Sequence, residues 1–145
     1  MALSKPGWAE SFDTGGALID IVVSDMTTDA WRRVFAHFKA HPEVWTPCAG
    51  FERAGQMAAD YAAANPDDRL LAQGDLPGQL NAWFLDDELE IDLDPRQLTE
   101  DEHVVTLQGF MRELGQLLHR DVAMSWEGMR EAVVFRYRYA TDSID

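Results

Sequence analysis

The segment Asp86-Asp87-Glu88-Leu89-Glu90-Ile91-Asp92-Leu93-Asp94, residues 86–94, alternates acidic and apolar residues with a period of two from Glu88 onward. Successive side chains of a strand point to opposite faces. Leu89, Ile91 and Leu93 therefore share one face, and Glu88, Glu90, Asp92 and Asp94 share the other. A few residues on, the period changes. Val104, Leu107, Met111, Leu114 and Leu118 recur at steps of three and four, the apolar stripe of a helix. Thr99 and Glu102 have the spacing of a capping box, and Glu100 and Asp101 suit the positive end of the helix dipole. A half-buried strand leading into an amphipathic helix implies a sheet with helices packed against it.

Upstream, Leu18 to Val23 is rich in β-branched residues and reads as a buried strand, with Asp20 its one polar interruption. Thr27 and Thr28 offer an N-cap for a helix carrying Trp31, Val34, Phe35 and Phe38, and Pro42 stops it. Val44 to Gly50 reads as irregular or edge-like. Gln56 to Ala64 reads as a short helix, ended by the turn signal Asn65-Pro66-Asp67-Asp68. Leu70–Gln73 and Leu80–Leu85 read as strands, with Leu76-Pro77-Gly78 turning between them. Downstream, Asp121–Trp126 and Val133–Tyr139 read as the last strands. Gly109 and Gly115 interrupt the long helix at about 1 kcal/mol each against alanine, and read as tolerated in preference to the alternative, a close approach of the helix to the sheet.

The expected fold is therefore α+β: a mixed, mainly antiparallel β-sheet with two long helices and one short helix packed mostly on one face. Residues 1–16, with Pro6, Gly15 and Gly16, read as an arm pinned by Trp8 and Phe12. Residues 17–140 read as one domain, and residues 141–145 as a frayed acidic tail. At 145 residues the chain has room for one core and hardly for two.

Charge narrows the partners. Twenty-six acids face twelve Lys and Arg, a formal net charge of -14. Nucleic acid and anionic membrane repel such a chain, and basic partners attract it. The single cysteine, Cys48, excludes an intrachain disulfide framework. The first residues lack the apolar core of a signal peptide, and no apolar run approaches the roughly 18 residues of a membrane span. A cytoplasmic location is the simplest expectation.

Nine of the acids lie between Asp86 and Glu102 against one base, Arg96. Carboxylates on one strand face stand about 6.5–7 Å apart and repel one another. Such a comb needs solvent, an internal cation or an outside partner. Internally, Val133, Phe135, Tyr137 and Tyr139 take one face of the last strand and leave Arg136 and Arg138 on the other. If that strand neighbours the comb, the two arginines pair with Glu90 and Asp92. Alternatively, Asp92 with Asp94, or Asp86 to Glu88, could hold a hard cation. No EF-hand spacing supports that, and no metal or cofactor is expected.

Other chemistry is sparse. His37 and His41 have the spacing of a two-histidine metal site, yet Phe38 stands where a zinc-protease helix carries glutamate. They read as two surface histidines on an amphipathic helix. Cys48, between Pro47 and Ala49, lacks a context that lowers a thiol pKa. No phosphate loop, dinucleotide fingerprint or nucleophile elbow occurs. Trp45 and Trp83 are candidate exposed aromatics of an interface.

The run Leu89-Glu90-Ile91-Asp92-Leu93-Asp94-Pro95-Arg96, followed by Phe110-Met111-Arg112-Glu113-Leu114-Gly115, resembles small bacterial proteins, as do Asp20-Ile21-Val22-Val23, Thr27-Thr28 and Trp31. Proteins of this build are similar to the immunity proteins encoded beside polymorphic toxins. The resemblance is one of pattern over about two-thirds of the chain, and it implies a role without catalytic residues. It makes the chain a non-enzymatic inhibitor that covers a cognate toxin with a basic surface. Asp86, Asp87, Glu88, Glu90, Asp92 and Asp94 would make the electrostatic contact, and Trp83 and Trp45 the aromatic one. The alternatives are a small carboxylate- or metal-dependent hydrolase using the same acids, and an acidic effector chaperone or adaptor.

Overall fold

The computed structural model describes residues 18–48, 70–75, 78–85 and 87–145. The arm at 1–16, the short helix at Gln56–Ala64 with its turn, Leu76-Pro77 and Asp86 lie outside the described residues. The chain is α+β. Strand β1 (Ile19–Val23) is followed by helix α1 (Thr28–Ala40), the short strand β2 (Trp45–Pro47), and strands β3 (Leu70–Asp75), β4 (Gln79–Leu85) and β5 (Glu88–Leu93). A 3-10 turn (Pro95–Gln97) leads into helix α2 (Asp101–Leu118), and β6 (Val122–Trp126), β7 (Met129–Arg138) and β8 (Ser143–Ile144) end the chain.

The strands form one sheet in the order β2-β3-β4-β5-β1-β6-β7-β8. Every pairing among the described residues is antiparallel, so the parallel part of the expected mixed sheet does not occur there. The first strand in sequence lies inside the sheet, between β5 and β6. Its composition explains the placement: all five of its residues are buried, which an interior strand requires.

Both helices pack on the face that carries Ile19, Ile21, Val23, Leu89, Ile91 and Leu93. Trp31 of α1 meets Phe84 of β4 at 4.4 Å between ring centroids. In α2, Gly115 has a packing reason and Gly109 has none. A Cβ at Gly115 would fall onto the Tyr137 ring of β7, whereas one at Gly109 meets nothing within 4 Å. The tolerance expected of both glycines fits only the second.

The caps differ in how they follow the sequence. Thr27 caps α1 as expected, its Oγ1 accepting from Ala30 N at 3.2 Å. At α2 the expected capping box does not form. The N-cap is Glu100, one residue past Thr99, and it makes no side-chain cap bond. Thr99 N instead donates to His103 Nδ1 at 3.2 Å.

Three further expectations are corrected. Trp45 is not an exposed aromatic: it is 2% exposed and stacks on Phe38 at 4.2 Å. Gly74, opposite it on β3, leaves room for the indole, since a Cβ there would touch the ring. The tail at 141–145 does not fray. Ser143–Ile144 pairs with β7, and Asp145 and Arg136 exchange both backbone hydrogen bonds, at 3.0 and 3.1 Å. Finally, Arg136 and Arg138 are not beside the comb, because β1 and β6 lie between β7 and β5.

Candidate functional site

The second face of the sheet carries the acidic row. Pairing fixes its neighbours: across from β5, Trp83 lies opposite Glu90 and Asn81 opposite Asp92. On the other side, Val22 faces Glu90 and Asp20 faces Asp92, and Ser125 of β6 lies beyond Asp20. Directly opposed residues share a face, so a second carboxyl, Asp20, stands within the row's own surroundings.

Each acid of the row has a partner in the same chain. Arg130 reaches Glu88 at 3.0 Å and Glu90 at 3.4 Å. Asp92 accepts from Asn81 Nδ2 at 2.9 Å and from the Trp83 indole N–H at 2.7 Å. Asp94 lies just past the strand, where it accepts from Arg96 N at 3.0 Å and pairs with the Arg96 guanidinium at 2.7 Å. The comb is thus not the open row expected from the sequence. Trp83 is half-buried and its N–H is committed to Asp92, so it is not a free anchor either.

Arg130 arrives by a device the sequence pattern conceals. The β6–β7 hairpin turns at Glu127-Gly128, with Gly128 at φ +72°. Register shifts around Ser125 then place Ser125 opposite Val133 and Trp126 opposite Met129. Bulges of this kind bend a strand and re-aim its side chains. The bend carries Arg130 across two intervening strands to β5.

The compensation is incomplete. Three of the row's four carboxylates meet two guanidinium groups, one shared and one local, and Asp92 meets only the neutral donors of Asn81 and Trp83. Asp20 adds a fifth carboxyl that is 4% exposed and makes no side-chain hydrogen bond among the described residues. Burial first, and then Glu90, Glu127 and Asp92, together push its pKa up to about 7 against the opposing pull of Arg130. Glu90 is raised too, first by burial and then by Asp92, Glu88 and Glu127, with Arg130 opposing. Asp94 is lowered by its hydrogen bonds from Arg96. Proton retention therefore concentrates where donors are scarce.

Beyond the row the acids become exposed. Asp87 is exposed in the turn before β5, and Glu100, Asp101 and Glu102 are exposed at the start of α2. None of these makes an ion pair with Lys or Arg among the described residues; Glu100 stands 3.8 Å from the His103 imidazole. On the row's side of the sheet, Ser24, Asp25, Arg120, Ser125, Arg130 and Arg136 line a cleft of about 440 Å³. Arg138 pairs with Asp145 at 2.8 Å, away from the row.

Asp92 and Asp94 belong to no group of three potential metal ligands among the described residues, and both carboxylates accept hydrogen bonds within the chain. The Cys48 thiol is pushed up by burial, opposite to the shift a nucleophile needs. His37 and His41 are half-buried, with His37 against Glu113 of α2, rather than surface residues. Sequence reasoning missed Asp20, Asn81 and Arg130 as members of the site. The alternation Gln79, Asn81, Trp83 on β4 was a signal for Asn81. Arg130 left none, since only the bulged hairpin brings it near.

No family model matches the chain, and no curated protein or solved structure does.

Proposed function

We propose that the chain is a non-catalytic binding protein that neutralises a basic protein partner, the role that the resemblance to toxin immunity proteins implies. One observation supports this reading most: the carboxylates of β5 and the start of α2 outnumber the cations around them. With a net charge of -14, the chain attracts a positively charged surface over long range, which speeds encounter and fixes orientation.

The contact differs from a simple comb. Glu88, Glu90, Asp92 and Asp94 are engaged internally, so the exposed acids at the ends of the row, Asp87 and Glu100 to Glu102, meet the partner first. Arg130 is half-exposed on Glu88 and Glu90, and a partner's lysine or arginine can replace it without leaving a buried charge unpaired. A toxin whose active site binds a polyanion has the required surface.

Titration calorimetry with the product of the adjacent gene, at low and high salt, tests the reading. Affinity should fall with salt. Replacing Glu100, Asp101 and Glu102 by Gln, Asn and Gln should weaken it roughly tenfold, from three rim charges at about 0.5 kcal/mol each. Absence of binding, or a neutralised variant that binds and protects cells like the parent, would remove this role.

A further inference from the structure

His37 and His41 lie one turn apart at the end of α1, and α2 brings Glu113 against them. One nitrogen of each imidazole and a carboxylate oxygen of Glu113 all lie within 4.8 Å of one another. The two rings are 4.3 Å apart between centroids, and His37 Nε2 stands 4.0 Å from Glu113 Oε1. We propose that these three side chains form a site for a borderline divalent metal ion, Zn²⁺ foremost, which clamps the C-terminal end of α1 to α2.

The donor set fits that ion class. Two imidazole nitrogens and one carboxylate oxygen suit zinc and its neighbours and do not suit calcium or magnesium, which take oxygen ligands. Ligand atoms around a tetrahedral zinc stand about 3.3 Å apart, given bonds of about 2.0–2.1 Å. Closing from spacings of up to 4.8 Å shortens a ligand–ligand distance by up to about 1.5 Å. Glu113 can supply that movement, since its side chain is 58% exposed and has three rotatable bonds.

His41 is already oriented. Its Nδ1 lies 2.8 Å from the His37 carbonyl oxygen. A carbonyl only accepts, so Nδ1 carries the hydrogen and Nε2 keeps the lone pair of the neutral ring. A backbone carbonyl holding the second nitrogen of a ligating histidine is the usual outer-shell arrangement. The backbone around His41 is fixed as well. Its N–H donates to Phe38 O at 3.3 Å, and its carbonyl accepts from Val44 and Trp45 at 3.1 and 3.0 Å.

His37 supplies the second argument. Its side chain is 11% exposed, and its Nε2 faces a carboxylate across 4.0 Å. At 4.0 Å the two atoms are too far apart for a hydrogen bond and leave room for an ion to bridge them. A divalent ion fills that position. Three protein ligands leave a fourth position for water.

Calorimetric titration of chelator-treated protein with Zn²⁺ should show one site per chain, and Co²⁺ in its place should give the visible absorption of a tetrahedral nitrogen–oxygen site. His41→Ala and Glu113→Gln should each raise the dissociation constant at least about tenfold, the smaller loss expected from an outer-shell residue. Glu113 is exposed, so the second variant keeps its far-ultraviolet circular dichroism and isolates the ligand effect. Thermal unfolding of the parent should shift upward with Zn²⁺, and that of Glu113→Gln should not. No stoichiometric zinc binding, or binding that both variants retain, would overturn the site.

Discussion

Two acidic regions of this molecule meet opposite fates. In the row around β5, Asp20, Glu88, Glu90, Asp92 and Asp94 crowd onto adjacent strands with two arginines between them. In the tail, Asp142 accepts hydrogen bonds from Arg112 and Gln116 of α2 and from the Tyr137 hydroxyl. The first region holds on to protons: Asp20 is raised to about 7. The second is ionised, since the Arg112 and Tyr137 bonds push Asp142 below the ordinary carboxylate range. Donor supply, more than acid density, decides which carboxylates are spare for a partner.

The largest effect that can break this contrast is Asp20→Asn. The folded pKa of Asp20 lies above its unfolded value, so its contribution to stability is full below about pH 4. It is lost as pH rises to about 7. A shift of about three units at 1.36 kcal/mol each is on the order of 4 kcal/mol. Urea unfolding of parent and variant should therefore diverge with pH, the variant gaining by up to that amount at pH 8 relative to pH 4. Parallel curves would mean that Asp20 carries no penalty. Asp142→Asn should show the opposite trend. The parent's advantage from Asp142 is present at neutral pH and lost as pH falls through its lowered pKa, and difference curves of the two variants should slope in opposite directions.

Gly115→Ala probes the packing beside the tail. The new methyl meets the Tyr137 ring, whose hydroxyl holds Asp142, and overpacking of this kind costs about 1–3 kcal/mol. Gly109→Ala, at the midpoint of the same helix and facing open space, should instead stabilise by up to about 1 kcal/mol. Opposite signs in thermal unfolding would confirm that one glycine is required and the other only tolerated. Arg130→Met is the mildest of the series. Loss of a half-exposed pair should cost at most about 1 kcal/mol, yet it should raise the Glu90 pKa further, because Arg130 is the cation that opposes the shift.

Much of the fold was legible because its signals are local. The alternation from Glu88 to Leu93 and the stripe from Val104 to Leu118 gave β5 and α2 nearly at their observed limits. Thr27 announced α1. What the sequence concealed depends on distant pairing. Nothing local says that β1 inserts between β5 and β6, and that insertion is what brings Asp20 beside Asp92 and keeps Arg136 away. The tail looked too short and too charged to hold. It is held by Arg112, Gln116 and Tyr137, which lie in two other elements. The histidine pair was visible at residues 37 and 41, whereas Glu113 is more than seventy positions away. Trp45 was misread because an aromatic in an irregular segment gives no sign of which way it points.

The most direct test of the row's incomplete compensation is a carbon-13 NMR titration of the side-chain carboxyls in the free protein. Asp20 should titrate near 7, Glu90 above the ordinary glutamate value, and Asp142 below the ordinary aspartate value. If Asp20 and Glu90 titrate where exposed carboxylates do, the row is fully compensated within the chain and has no charge to offer a partner.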